Sequence, residues 1–499
     1  MSHSEVSVLI VGAGPTGLTL ACDLARRNVH FRLVDKTPAY FVGSRGKGLQ
    51  PRSLEVFDDL GIIERILSHG RFHLPFRSYD GTTILGDRDL HEGRHPTPDV
   101  PYASSLMIPQ WRVEETLRQN LEAAGKRVEL ATELVRIEQG ENGVTATLQK
   151  EDAEEHVRCS YLVAADGGRS FVRKFMKFDF EGETWKDARM LVGDVRVDGL
   201  DHDHWHTWPS HPDGWVGLCP LPSTQSFQYQ AAISSAFAKK PSLEAFQRVF
   251  EERSRRSDLK LYDPTWLSLY QVNIRMVNRY RIGRVFLAGD AAHIHSPAGG
   301  QGMNTGIQDA YNLGWKLGLV LHGANASLLD TYEEERLPVA ASVLGISTRL
   351  AQAFVANGNQ LTSDPTTLQL GINYRHSSLS NRECSSPLSL EPGDRAPDGL
   401  LLDASGNHIR LFDLFRGPKF TLLDIGGAID AKGFENLGER CKQHLRTHAI
   451  AQEPLQSEAY KAKDPVLVLI RPDGYVGWVG GGSSTISAES YLKHILNTN

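Results

Sequence analysis

Asp290 is the residue whose surroundings say most about chemistry. A short apolar strand, Val285 to Ala288, runs into Gly289-Asp290, a Pro/Gly loop follows from Pro297 to Gly302, and a helix starts near Asn304. A carboxylate at a strand end can hold a sugar or polyol hydroxyl. A Gly-rich loop lets a flat ring approach the backbone. A helix start presents unpaired N–H groups and positive partial charge. Together they suit a polyol-linked ring that becomes anionic, as a reduced flavin does. His293 and His295 belong to the same stretch and read as packed or loop-supporting histidines.

Two further carboxylates stand at strand ends. Val6 to Val11 is an apolar strand that leads directly into Gly12-Ala-Gly14-Pro15-Thr16-Gly17, and a helix is expected from about Thr16 to Arg27. A second strand, His30 to Val34, ends at Asp35-Lys36. The glycines serve a tight turn, close approach of a pyrophosphate and close helix–strand packing, and phosphate sits on the helix N-terminus. Asp35, 18 residues beyond Gly17, can accept from ribose hydroxyls. The third is Asp166, which ends Tyr161 to Ala165 and opens Gly167-Gly168-Arg169-Ser170. An Asp-Gly turn means little alone. An acid at position 35 also fits NAD, but the later motifs make the expected dinucleotide FAD.

In this order the motifs resemble the class A flavoprotein monooxygenases, the group of para-hydroxybenzoate hydroxylase and phenol hydroxylase, over residues 5 to 345. A further domain follows, as in the subgroup of rifampicin monooxygenase and the polyketide aromatic hydroxylases. The resemblance implies that Gly12, Gly14, Pro15, Thr16 and Gly17 line the pyrophosphate and that Asp35 and Lys36 lie at the adenosine ribose. Arg45, in Ser44-Arg-Gly-Lys-Gly-Leu-Gln-Pro-Arg-Ser53, would sit near the pyrophosphate and bear on nicotinamide reactivity. Gln110 would lie close to FAD, and the backbone of Leu134 would contact adenine. Asp166 is linked with FAD and NAD(P)H, and Asp290 with the ribityl chain. Pro297, Gly300, Gly302, Met303 and Asn304 would border the isoalloxazine. Arg45 and Pro297 are the candidate catalytic residues, and no acid or base is assigned; His73, His206 and Tyr229 are weak candidates for a phenol base.

The implied cycle is reduction of FAD by NADPH or NADH, reaction with O₂ to a C4a-hydroperoxide, and attack of its distal oxygen on an aromatic carbon. Phenols and polycyclic polyketide-like aromatics are the expected substrates. The same motifs also allow Baeyer–Villiger insertion, epoxidation or a non-enzymatic flavin-binding protein. The Trp-x-Trp-x-Ile-Pro motif of flavin halogenases is missing; Trp205-His-Thr-Trp208 does not match it.

The elements around these motifs predict an α/β plus β architecture. A Rossmann-like FAD-binding domain is expected from residues 1–70, 101–180 and 281–356, with an inserted antiparallel-sheet substrate domain from 71–100 and 181–280. Residues 357–390, rich in Asn, Ser and Thr, read as a linker, and 391–499 as a thioredoxin-like domain without a CxxC pair. Trp205, Trp208, Trp215, Phe227 and Tyr229 read as sheet packing ahead of a pocket lining. His202, His204, His206 and His211 read as a solvated loop, so no metal is expected.

A net charge of -6 argues against a broad nucleic-acid footprint, and no apolar run is read as long enough to span a bilayer. Five scattered cysteines suit a reducing cytoplasm. The expected partners are an aromatic small molecule and O₂, on a monomer or homodimer.

Overall fold

The computed structural model describes residues 3–234, 240–356, 364–382, 388–402, 406–429, 431–451, 455–481 and 485–497. At its centre is the strand His3–Val11, in which Val8, Leu9 and Ile10 are wholly buried. A strand covered on both faces reads as an apolar run, which is what a parallel sheet requires. It pairs in parallel with Phe31–Val34 on one side and Ala153–Ala164 on the other, and Val285–Leu287 extends the sheet beyond the latter. The helices Pro15–Arg26 and Gly302–Leu321 pack on each other over this sheet. They touch closely because Gly306 and Gly314 face Thr16 and Asp23: a β-carbon there would stand 2.4 Å from Thr16 Oγ1 and 2.3 Å from Asp23 Oδ2.

The second sheet has eight strands. Its order is His293–Ile294, Leu261–Val277, Phe180–Val197, Phe227–Ile233, Val216–Pro220, Trp205–Trp208, Phe76–Asp80 and Thr83–Arg88. Pairing is antiparallel except between Trp205–Trp208 and Phe76–Asp80, which run parallel and correct the all-antiparallel expectation. The exception arises because Phe76–Asp80 enters the sheet edge from a distant part of the chain. The helix Leu243–Ser254, capped by Ser242, covers the outer face. Phe246, Val249 and Phe250 close a core there with Leu191, Val195, Trp208, Phe227 and Tyr229.

Because side chains alternate across a pleated strand, the register decides what lies on the opposite, inner face. Asp194 is opposite Trp266 on one neighbour and Gln228 on the other, and Gln228 is opposite Cys219. These four residues form one row across four strands, facing the first domain.

The third sheet runs Asn381–Arg382, Val476–Gly481, Val466–Ile470, Phe420–Ile425 and Leu445–Ile450. Phe420–Ile425 and Leu445–Ile450 are parallel around the helix Ala431–Arg440, and an antiparallel hairpin follows. The stretch read as a linker is built into the molecule over its described residues. Gln369 bonds to Gln308 and Gln301, Tyr374 receives Arg336, and Asn381–Arg382 forms the sheet edge. Polar composition suggested a tether; here the amides and hydroxyls are partners of buried polar groups on the helices.

The segment Ala326–Phe354 is, by length and composition, long and apolar enough to cross a membrane, which revises the reading of the apolar runs. It lies along the protein: Glu335 and Arg336 are buried in ion pairs, and Val339 and Val343 pack with Tyr374 and Tyr475.

Candidate functional site

Four loops converge at the C-terminal ends of the parallel strands, where open α/β sheets bind ligands. The first is the glycine turn. Gly12 has φ +103°, and a β-carbon on it would stand 2.3 Å from Ala165 O; one on Gly17 would stand 1.9 Å from Gly12 O. Gly14, by contrast, faces open space, so the room a phosphate needs lies at the helix start. That start has Pro15 in its first turn and no side-chain cap. Asp35 braces the turn by accepting from Ala13 N–H at 2.8 Å and from Thr37 N–H at 2.9 Å. Lys36 beside it is exposed. Leu134 is packed in the core of the strand Glu133–Gly140. Nearby, Ala131 and Thr132 N–H donate to Thr37 and Asp35 carbonyls, so this turn braces the Asp35 loop through its backbone.

The second loop begins at Asp166. Its Oδ2 accepts from Phe171 N–H at 2.8 Å and Val172 N–H at 3.2 Å, while its Oδ1 is buried without a hydrogen-bond partner. Burial raises this carboxyl, against the pull of Ser170 and the helix-start N–H groups.

The third loop carries Arg45. Its guanidinium lies over the Phe41 ring, 4.5 Å from the centroid, and the residue is exposed. Gln110 holds the loop: its Oε1 accepts from Gly46 N–H at 3.0 Å, its own N–H donates to Gly46 O, and its Nε2 donates to Glu114 at 2.8 Å.

The fourth comprises Asp290 and the loop 297–304. Asp290 is exposed to the cleft, yet sits deep enough that desolvation raises its carboxyl, with His293, Arg45 and Arg173 pulling it back. Pro297 is exposed, Gly299 and Gly300 have φ +77° and +62°, and the helix Gly302–Leu321 starts without a side-chain cap. Gly302 faces open space apart from His295 at 3.9 Å, and Met303 approaches the position a β-carbon on Gly46 would take. Asn304, expected at the ring, is fully buried and works as a clip. Its Nδ2 donates to Gly48 O and Gly300 O, and its Oδ1 accepts from Gln50 N–H.

The histidines are packed, as expected. His293 Nε2 meets Asp309 Oδ2 at 2.6 Å and His293 Nδ1 meets His295 Nε2 at 2.9 Å, all three residues being buried. Asp309 also accepts from Gly289 N–H and from Arg336 Nε. Burial alone would raise the Asp309 carboxyl; Arg336 and His293 outweigh it and hold it below the usual range. Burial next to His293 drives His295 well below the usual imidazole range, so it is neutral at pH 7.

The three weak base candidates do not reach the cleft as free bases. Tyr229 lies under the outer helix and donates to Phe246 O. His206 is buried between Tyr79 OH and Asp201 O, and His73 pairs with Asp89. The one grouping among the described residues that could hold a metal ion is His211, Asp213 and Glu252, with both acids exposed, beside the outer helix. Two small cavities, of about 30 and 10 Å³, lie against the C-terminal domain around Arg52 and Tyr311 and are too small for a dinucleotide.

Sequence reasoning passed over Asp309, Arg336 and Gln50, which hold the loops, and Lys47, Asp194 and Gln228, which are joined through Ser44 on the inner face of the second sheet. One signal was present: Asn304, Gln308, Asn312 and Lys316 recur every four residues on a largely apolar helix that also carries Thr305 and Asp309. Such a polar stripe on a buried helix implies a polar network.

These features fit FAD: an open phosphate room at Gly14, an unpartnered Asp166 oxygen, Asp290 facing the cleft, and uncapped helix starts at Pro15 and Gly302. Comparison with known proteins agrees. Residues 5–347 match the FAD binding domain family and residues 389–498 the aromatic-ring hydroxylase C-terminal family. A flavin-dependent monooxygenase of Mycobacteroides abscessus is 45% identical, the match covering 98% of this chain and 100% of that protein. The 6-methylpretetramide 4-monooxygenase of Streptomyces rimosus is 34% identical, covering 98% of this chain and 94% of that one. The crystal structure of aklavinone-11 hydroxylase with FAD and aklavinone superposes with a TM-score of 0.84 at 27% identity over all of both chains. The chain thus belongs to the FAD-dependent aromatic-ring monooxygenases.

Proposed function

We propose that this enzyme uses NADPH or NADH and O₂ to insert one oxygen atom into a phenolic or polycyclic, polyketide-like aromatic. The observation that carries the reading is the polar row Trp266, Asp194, Gln228 and Cys219 on the sheet face that looks toward the first domain. Asp194, Gln228 and Cys219 are buried under the segment 44–47, so a flat substrate slotted between this face and the loop 297–304 would meet the half-buried Lys47 and Trp266 on one side and the cofactor on the other. FAD, when bound, supplies acceptance of hydride and activation of O₂.

The chain's own contributions follow from its geometry. Asp290 accepts from the cofactor's polyol. The N–H groups at Gly302 to Asn304 favour negative charge on the ring. Asn304 keeps the loops 48–50 and 299–300 at fixed spacing. Arg45, stacked on Phe41 and exposed, is free to meet the nicotinamide substrate. The helix Asp330–Ala356 helps exclude water: Leu350 lies against Gly299 and Phe354 meets Trp215 edge-on at 5.5 Å. The C-terminal domain serves packing; Cys441 is the sole cysteine between 391 and 499, and burial raises its thiol.

The test is a screen of phenols, anthraquinones and rifamycin-type compounds for stimulated NAD(P)H oxidation, with products weighed after turnover in labelled O₂. One labelled oxygen on an aromatic carbon supports the reading. Insertion beside a carbonyl rejects hydroxylation in favour of Baeyer–Villiger chemistry, and no stimulation by any aromatic rejects the reading altogether.

A further inference from the structure

Lys316 is buried and Lys47 half-buried, and the two have opposite surroundings. Lys316 donates to Glu335 at 2.7 Å and to Asn312 at 2.8 Å, so its charge is paired. Lys47 has no carboxylate in salt-bridge range among the described residues. Its Nζ donates to Gln228 Oε1 at 2.6 Å and stands 3.9 Å from the centroid of the Trp205 indole. An ammonium has three donors; Gln228 takes one, and the ring face attracts the charge without saturating it. A lysine partly withdrawn from water favours an anionic partner, and no carboxylate among the described residues lies in salt-bridge range, Asp194 acting only at longer reach.

The position of this ammonium is informative. Its backbone belongs to the loop that Asn304 clips to the start of the helix Gly302–Leu321. Its head lies on the inner face of the sheet beside Gln228, Cys219 and Asp194. The group therefore projects from the cofactor floor into the space proposed for substrate. Its neighbours are fixed. Asp194 accepts from Ser44 N–H at 2.7 Å, and Gln228 donates to Ser44 O. Asp194 Oδ1, Ser44 Oγ and Trp266 Nε1 are buried with no hydrogen-bond partner, so this corner has unspent polar capacity.

We propose that Lys47 binds an ionised phenolic oxygen of the substrate, with Gln228 fixing the ammonium in place and Asp194 fixing the loop that carries it. A phenolate supplies the missing anion, and it is also the electron-rich form of a phenol that favours attack on the ring. No proton passes to the protein in this role: the phenol proton goes to bulk water on binding. The inference rests on the aromatic-hydroxylase reading above and specifies the substrate feature that the site selects.

The electrostatics support the geometry. Burial brings the Lys47 ammonium down to about 8, against the opposing pull of Cys219 and Asp194. Burial pushes the Asp194 carboxyl up to about 6 and the Cys219 thiol up to about 11, the latter against Lys47. At pH 7 Lys47 is mostly charged and Cys219 is neutral. Phenolate affinity should therefore fall as pH rises through about 8, when the lysine loses its proton.

The test uses FAD-loaded wild type, Lys47→Met and Lys47→Arg, with 4-nitrophenol and alizarin as probes because both change colour on ionisation. Retained flavin absorbance shows that each variant is folded. At about pH 6, where 4-nitrophenol in solution is mostly neutral, wild type should bind the probes as phenolates. Lys47→Met should bind them as neutral phenols, about tenfold or more weakly, the scale of one charge-assisted hydrogen bond. Lys47→Arg should keep the phenolate spectrum and lose the decline near pH 8, since a guanidinium stays charged. Unchanged affinity and phenolate spectrum in Lys47→Met overturn the proposal, as does wild type that binds neither probe or binds both as neutral phenols. Any of these results alongside NAD(P)H oxidation stimulated by some aromatic leaves the hydroxylase reading standing and removes only the role of Lys47.

Discussion

In the proposed cycle, single side chains divide the work of holding the cofactor from the work of using it. Asp290 opens onto the cleft with its carboxyl raised by desolvation, so a hydroxyl donor there recovers a hydrogen bond to a charged group. Asp290→Ala should lower FAD affinity by roughly 1.5–3 kcal/mol, about ten- to a hundredfold. Flavin retained per chain after gel filtration and quenching titrations of the apoprotein measure this; full retention would remove Asp290 from the site. Arg45 has a different expected signature. It lies on Phe41 at the open side of the cleft with no ion pair among the described residues. Arg45→Ala should slow flavin reduction by NAD(P)H more than reaction of the reduced enzyme with O₂. Stopped-flow traces of the two half-reactions separate these, and equal slowing of both would count against the role.

At the scale of elements, one helix ties several of the loops together. The helix Gly302–Leu321 carries Asn304 into the loops 48–50 and 299–300, and Asp309 into Gly289 N–H and His293. Removing Asn304 leaves Gln50 N–H and two carbonyls without their partner. Asn304→Ala should therefore cost about 1–3 kcal/mol of stability, read as a lower Tm, and should weaken FAD binding although Asn304 presents no side chain to the cleft. An unchanged Tm would mean that the clip is not what spaces the loops. The same helix explains why its role was only half legible. Glycine spacing and the strand–turn–helix order are local, and they announced the turn at Gly12 to Gly17 and the start at Gly302. Two of the three partners of Asn304, Gly48 and Gln50, lie 256 and 254 positions away in the chain, and no local pattern carries that pairing.

Across the whole molecule, the C-terminal domain is joined to the first by buried charge. Arg471 pairs with Glu335 and Asp473, Lys316 joins Glu335, and Trp315 Nε1 donates to Asp473. Arg395 reaches Glu55, and Arg410 and Arg416 reach Asp58. Breaking one partner of such a network leaves a buried charge, which costs about 3–5 kcal/mol. Arg471→Met should lower Tm accordingly and loosen the domain contact, seen as new protease cleavage; an unchanged melt would show that the network is dispensable. Burial would raise Glu335, but Arg471 and Lys316 more than offset it and hold the carboxyl far below its ordinary 4.5. A carboxylate depressed by folding contributes stability above its unfolded value and loses it as pH falls toward its folded value. Wild-type Tm should therefore decline steeply below about pH 4.5, and Glu335→Gln, already destabilised at pH 7, should show a shallower decline. Equal slopes would assign the acid sensitivity to other groups.

Local sequence was sufficient for the features that depend on neighbours in the chain. The turn Gly12 to Gly17, the carboxylates Asp35, Asp166 and Asp290 at strand ends, and the Pro/Gly loop before a helix all come from short-range backbone demands, and they identified the cofactor and the family. Phe31–Val34 and Val285–Leu287 match the read spans within a residue, whereas Tyr161 to Ala165 is only the end of the strand Ala153–Ala164 and Val6 to Val11 the end of His3–Val11. Residues 364–382 read as a tether because composition reports polarity without reporting partners. Only the tertiary structure decided what meets on the inner face of the second sheet. Asp194, Gln228 and Cys219 come from three strands, and Lys47 from a loop far earlier in the chain. They meet because strand register and pleat set which side chains share a face, and register is fixed by long-range pairing that no single segment contains.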